Sequence, residues 1–468
     1  MTQSYAHSYP DEHGTQLMRE QASTLSDYIL WRGDLSFDTN PINPCDYLLF
    51  AVLSYSDIPA LEEKIGHDVR SVAAIAEAFL EAVPAGEAID QDLMCGFFVP
   101  PRSFFEALAQ SPRYKSCTLV DFEEKNDDTK NIQFGAYTWN VADQLAIVSY
   151  RGTDMSLAGW KEDFLLGIEV VPAQILARAY LSRALVWARE QGLNLSVVGH
   201  SKGGHLAAYA AASLAQECQD QIAAIYNFDG PNFSHALALP NPGVLYGARY
   251  QRIVPEFSVI GQLFDEDSCP KQFVKSSAYG MMQHGPLSWC IVRDHFVPAH
   301  TPDPAATRFA HHHKHWEEQL SNDAEKTMID EVFAALYASG KQNFDEILQD
   351  PSCWKKIFDH ATSMSKSTRS YLGEFVELIF NDIAFSAKDT YKNFAQEFSD
   401  LVKNFLESIR QTATHALNKH DDACDTSSQA PSQPSSTSSK SPGKQDNSSR
   451  EITYIELPRA ASSHVGEN

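Results

Sequence analysis

The 468-residue sequence has no apolar run near the roughly 20 residues that span a bilayer, so it predicts a soluble chain without a transmembrane segment. Positive charge is scarce: 37 Lys and Arg stand against 61 Asp and Glu, a net charge of −24. Phosphate backbones are gripped by clustered basic residues, so nucleic acid is excluded as an expected partner. The eight cysteines (Cys45, Cys95, Cys117, Cys218, Cys269, Cys290, Cys353, Cys424) are scattered, without the close pairs of zinc sites or redox motifs. Reduced structural thiols are expected. No G-x-G-x-x-G follows a strand pattern and no P-loop is present, so no cofactor is implied. The segment Met1–Gln21 carries acids and histidines where a secretory leader would place an apolar run after positive charge, and the expected location is cytoplasmic.

What is present alternates. Asp46–Ser56 is apolar all round and free of Gly and Pro, which predicts a buried helix. Asp68–Ala82 repeats its apolar residues at three and four, the spacing of another helix. The runs 117–122, 132–139 and 144–150 are β-branched and aromatic between polar turns and predict strands. Helical spacing over Ala173–Gln191, capped by Gly192, precedes a strand at Leu195–Gly199 and an Ala-rich helix over 203–215. Further strands are expected at 222–228, 249–255 and 272–276. This alternation predicts an α/β fold with helices on both faces of the sheet.

Beyond about Pro302 the pattern is helical only, with amphipathic runs at 330–338, 371–385 and 391–417 that read as core-facing rather than membrane-surface helices. After His420, Ser, Pro, Gln and Thr dominate, a composition that cannot offset ordering entropy, so a disordered tail is expected. The predicted division is a 1–39 extension, a 40–300 α/β domain, a 301–420 helical extension and a 421–468 tail.

Gly199-His200-Ser201-Lys202-Gly203 matches G-x-S-x-G, with a strand before it and a helix after it. A sharp strand-to-helix turn needs both glycines and lifts Ser201 to a helix N-terminus, where an oxyanion is favoured. A serine hydroxyl needs a base and an orienting acid to act as nucleophile. His284, in the Gly/Pro loop after the last strand, is the expected base, with His295 and His300 as alternatives; His200 reads as packing. For the acid, Asp229, which ends the strand 222–228 and opens the turn Asp229-Gly230-Pro231, is the expected choice; Glu256, which ends the next strand, is the alternative, and Asp265 lies further along that loop. Thr153, in Arg151-Gly152-Thr153-Asp154 after an earlier strand, and the Lys202 N–H are the candidate oxyanion donors. His311-His312-His313-Lys314-His315 has a metal-like composition but reads as a solvated cluster, so no metal site is expected.

Strand-RGT with a following tryptophan, then GHSKGG, then H-x-P-x-x-W, resembles the layout of the class 3 lipases. With Tyr226-Asn-Phe-Asp-Gly-Pro231 it is closer still to the Mbeg-like bacterial α/β-hydrolases. The resemblance spans about Asp46–Trp289 and implies Ser201 as nucleophile, His284 as base and Thr153 as oxyanion residue. It departs at Lys202, where an apolar residue is usual, and at Ser258, which stands where the fungal enzymes keep their aspartate. The expected function is therefore a serine esterase acting on small-molecule or lipid esters. The alternative is a non-catalytic hydrolase-fold scaffold that binds a partner through its helical extension.

Overall fold

The computed structural model describes residues 22–369, apart from 97, 128–131, 155, 235–236, 265–269, 320, 344–345, 348–349, 362 and 366. The runs expected over 371–385 and 391–417, and the Ser/Pro-rich segment, lie outside the described residues. The chain opens with helices α1 (Leu25–Arg32), α2 (Pro44–Leu53), α3 (Ile58–Ile65), α4 (Val72–Ala82) and α5 (Arg102–Gln110). Strong N-caps start several of them. The Asn43 side chain accepts the Cys45 N–H, the Asp46 carboxylate accepts the Asn43 N–H, and Pro44 occupies the first turn of α2. All nine residues from Cys45 to Leu53 are buried, as an apolar surface all round the helix requires.

Asp46 is also the anchor of this helical layer. It takes a bidentate pair from Arg113, Nε to Oδ1 at 2.9 Å and Nη2 to Oδ2 at 2.6 Å, and accepts the Tyr28 and Tyr114 hydroxyls as well. Arg113 donates onward to the Leu35 and Asn40 carbonyls. Both ions are buried, so the pair holds only because nearly every donor and acceptor is used.

The sheet follows: β1 (Thr118–Asp127), β2 (Ile132–Ala142) and β3 (Leu145–Tyr150), then α6 (Leu157–Leu165), α7 (Pro172–Glu190), β4 (Asn194–His200), α8 (Lys202–Ala212), β5 (Ile222–Phe228), β6 (Tyr250–Pro255) and β7 (Gln272–Val274). The strands lie side by side in chain order; β1–β2 and β2–β3 are antiparallel, and β3 to β7 are parallel. Alternate residues feed opposite faces. Ile147 and Val198 join the cluster formed with α2, α4 and α5, whereas Ala146, Val148, Leu195 and Val197 join the one formed with α7 and α8. The sheet is thus covered by helices on both sides.

A short hairpin, β8 (Ile291–Val292) and β9 (His295–Phe296), leads to α9 (Pro304–Gln319), α10 (Asn322–Ala338) and α11 (Pro351–Ala361). These helices share a third apolar cluster with Leu157 of α6 and with Phe257–Phe264 after β6. Lys161–Asp330 and Lys326–Glu169 pairs join the same surfaces. The helix α1, within the segment expected to be an extension, sends Leu25, Tyr28 and Ile29 into the first cluster. Among the described residues Cys45, Cys95, Cys117, Cys218, Cys290 and Cys353 are free thiols, and burial pushes those of Cys95 and Cys117 up to about 12.

Candidate active site

Parallel strands present their C-terminal ends along one edge, where α/β proteins place their ligands. Four of the loops at this edge build the site. The turn between β4 and α8 carries Ser201 at φ 58°, a left-handed conformation that is uncommon for a side-chain-bearing residue. Its flanks must be glycine: a Cβ on Gly203 would overlap the Tyr150 carbonyl, and one on Gly199 would overlap the Gly203 backbone. The Ser201 N–H is bonded to the Phe228 carbonyl at 2.9 Å, which ties the turn to the neighbouring strand end.

Asp229 follows β5, also at positive φ (52°), with its N–H on the Ile253 carbonyl. His284 ends a short 3-10 turn, Gly280–His284, after β7. That turn is anchored by the Gln283 side chain, which accepts the Phe257 N–H, and by Trp289, whose indole donates to the Gln283 carbonyl at 2.8 Å. The three side chains meet: His284 Nδ1 lies 2.6 Å from Asp229 Oδ2, and Nε2 lies 3.0 Å from Ser201 Oγ. A carboxylate only accepts, so Nδ1 carries the proton and Nε2 receives the Ser201 hydroxyl. A hydroxyl held by an imidazole whose far nitrogen is held by a carboxylate can be deprotonated as it attacks.

Burial raises the Asp229 carboxyl above its ordinary value, and the bonds from His284 and Ser258, with the charge of Arg252, pull it back. Ser258 donates to Asp229 Oδ1 and itself accepts the Gly261 N–H at 3.0 Å. Behind His284 lies His200, fully buried, with its ring centroid 4.7 Å from that of His284. Its Nε2 is 2.8 Å from the His284 carbonyl and must donate there, so Nδ1 accepts the Tyr55 hydroxyl at 2.9 Å. Burial and the neighbouring His284 hold His200 well below the usual imidazole range, so it stays neutral. The residue read from sequence as packing therefore also holds the backbone of His284.

The loop after β3 brings Thr153 to the same edge. Arg151, buried, pairs with Glu124 of β1 at 3.0 Å and fixes the start of this loop. The Thr153 hydroxyl donates to Asp163 Oδ2 of α6 at 2.5 Å. The Lys202 backbone N–H is in the first turn of α8, where N–H groups have no intrahelical acceptor, while its side chain reaches Glu162. The remaining candidates lie elsewhere. Glu256 has its N–H on the Val274 carbonyl and its carbonyl on the Asp303 N–H, at the junction with α9. His295, exposed on β9, bonds Asp294; His300 is exposed after the hairpin. Asp265 is outside the described residues. The tract 311–315 lies within α9, and among the described residues no three His, Cys, Asp or Glu gather to hold a metal ion.

Sequence reasoning missed Glu162 and Asp163. The signal was a lysine inside a motif that must be buried, which calls for acidic partners, and adjacent acids stand in Trp160-Lys161-Glu162-Asp163. A cavity of about 620 Å³ opens beside this segment; Gln133, Asp154, Glu162 and Asn343 are among its lining residues, and no Lys or Arg is among those described.

The model of the Mbeg1-like family matches residues 108–334, a stretch that contains Ser201, Asp229 and His284, and over it the chain is similar to that family. No curated protein matches the chain.

Proposed function

We propose that the protein is a serine hydrolase of the α/β-hydrolase type that cleaves carboxylic esters. The observation that carries this reading is the continuous relay Ser201–His284–Asp229 at the C-terminal strand ends, with Ser201 on a positive-φ turn at a helix N-terminus. Ser201 Oγ attacks the acyl carbonyl and His284 Nε2 takes its proton. Asp229 holds the imidazole in the reactive tautomer and stabilises the imidazolium. The N–H groups of Lys202 and Thr153 face the developing oxyanion. Collapse transfers the proton from Nε2 to the departing alkoxide and leaves an acyl-Ser201; water, deprotonated by His284, then releases the acid. The net charge of −24 supports neutral esters over anionic ones.

Hydrolysis of a short-chain p-nitrophenyl ester tests the reading. Ser201→Ala is expected to lower turnover about a thousandfold or more. Turnover equal to that of the unaltered protein would remove Ser201 from the mechanism.

A further inference from the structure

The Lys202 side chain has no part in the proton relay, yet it is only 1 % exposed. An ammonium is buried at high cost unless it is paired. Its partner is the Glu162 carboxylate of α6, 2 % exposed, bonded through Oε2. The same ammonium lies 4.0 Å from Asp163 Oδ1, and Asp163 Oδ2 accepts the Thr153 hydroxyl. The residue after Ser201 is thereby connected, through two consecutive acids on one helix, to the residue at the end of the β3 loop. Both backbone N–H groups assigned to the oxyanion, those of Lys202 and Thr153, are referenced to a single turn of α6.

We propose that Lys202 is a positioning residue: its buried ammonium, held by Glu162 and facing Asp163, fixes Thr153 against the first turn of α8 at the spacing the oxyanion requires. This rests on the serine-hydrolase reading. Removing the charge leaves Glu162 without its bonded cation and takes the opposing charge from Asp163. Burial pushes that carboxyl up to about 7, and Lys202 is the strongest opposing influence. The groups facing Asp163 are Lys202 from α8, Thr153 and Asp154 from the β3 loop, Glu162 from its own helix and Tyr55 from the turn after α2. Glu162 and Asp154 repel its charge, so without the ammonium the carboxyl is raised further and holds its proton to higher pH. A protonated carboxyl presents a donor beside its acceptor, and the Thr153 hydroxyl loses its single defined partner.

The test compares ester turnover as a function of pH for the unaltered protein, Lys202→Met and the double variant Lys202→Met/Glu162→Leu. Lys202→Met is expected to lower kcat about 10- to 100-fold with KM within about twofold, and to move the acidic limb of the kcat profile toward higher pH. The double variant replaces a buried ion pair by apolar side chains, so it is expected to melt at or above the temperature of the unaltered protein while remaining as slow as Lys202→Met. A double variant that regains full kcat, or a Lys202→Met protein with unchanged kcat and pH profile, overturns the positioning role. If the unaltered protein hydrolyses no ester, the serine-hydrolase reading fails and the positioning role falls with it.

Discussion

At the scale of the residue, the account turns on which carboxylate orients His284. Asp229 and Glu256 each end a parallel strand on the same sheet edge, and the sequence ranks Asp229 first while leaving Glu256 open as the alternative. Their separation in space comes from turn geometry: Asp229 takes a positive φ that returns its carboxylate to His284 Nδ1, whereas the Glu256 backbone is engaged with Val274 and Asp303. Asp229→Asn is expected to lower kcat about 10⁴-fold, because an amide can hold the wrong imidazole tautomer, with the fold retained. Glu256→Gln is expected to stay within about twofold of the unaltered protein in the same assay. The motif made Ser201 legible, and the following Gly/Pro loop made His284 legible. Ser258, placed by resemblance at the fungal aspartate position, donates to the second oxygen of Asp229. That contact, like those of Glu162 and Asp163, depends on how separate segments meet and leaves no local pattern.

At the scale of the element, strands β2 to β6 and helices α2, α7 and α8 were legible to within a few residues, since each carries a long apolar period or a run of β-branched residues. Helices α1, α3 and α6 were not. Each is 8 or 9 residues long, too short for its period to stand out from a loop. The β4–α8 turn is the element on which the site depends. Gly203 lies against the Tyr150 carbonyl, so Gly203→Ala forces α8 away from β3 and moves Ser201 with it. A loss of about 1–3 kcal/mol in urea unfolding is expected, together with a larger proportional loss of ester turnover. Unchanged stability and turnover would mean that the turn is looser than its contacts indicate.

At the scale of the whole molecule, the helical layer ahead of the sheet, the sheet itself and the helices after Pro302 are joined through three apolar clusters. The Asp46–Arg113 pair links α1, α2 and the approach to β1. Asp46→Ala strands a buried guanidinium and is expected to cost about 3–5 kcal/mol in urea unfolding. The Ser201–His284 contact lies on the other elements, so KM at a temperature well below the melting transition is expected to remain unchanged. The most direct measurement of the central claim is labelling by a fluorophosphonate, which captures only a serine that its protein has activated. The account predicts one adduct per chain, mapped by mass spectrometry to the peptide containing Ser201 and absent from Ser201→Ala and His284→Ala. An unaltered protein that takes no label, or that takes it elsewhere and equally in Ser201→Ala, would contradict the account.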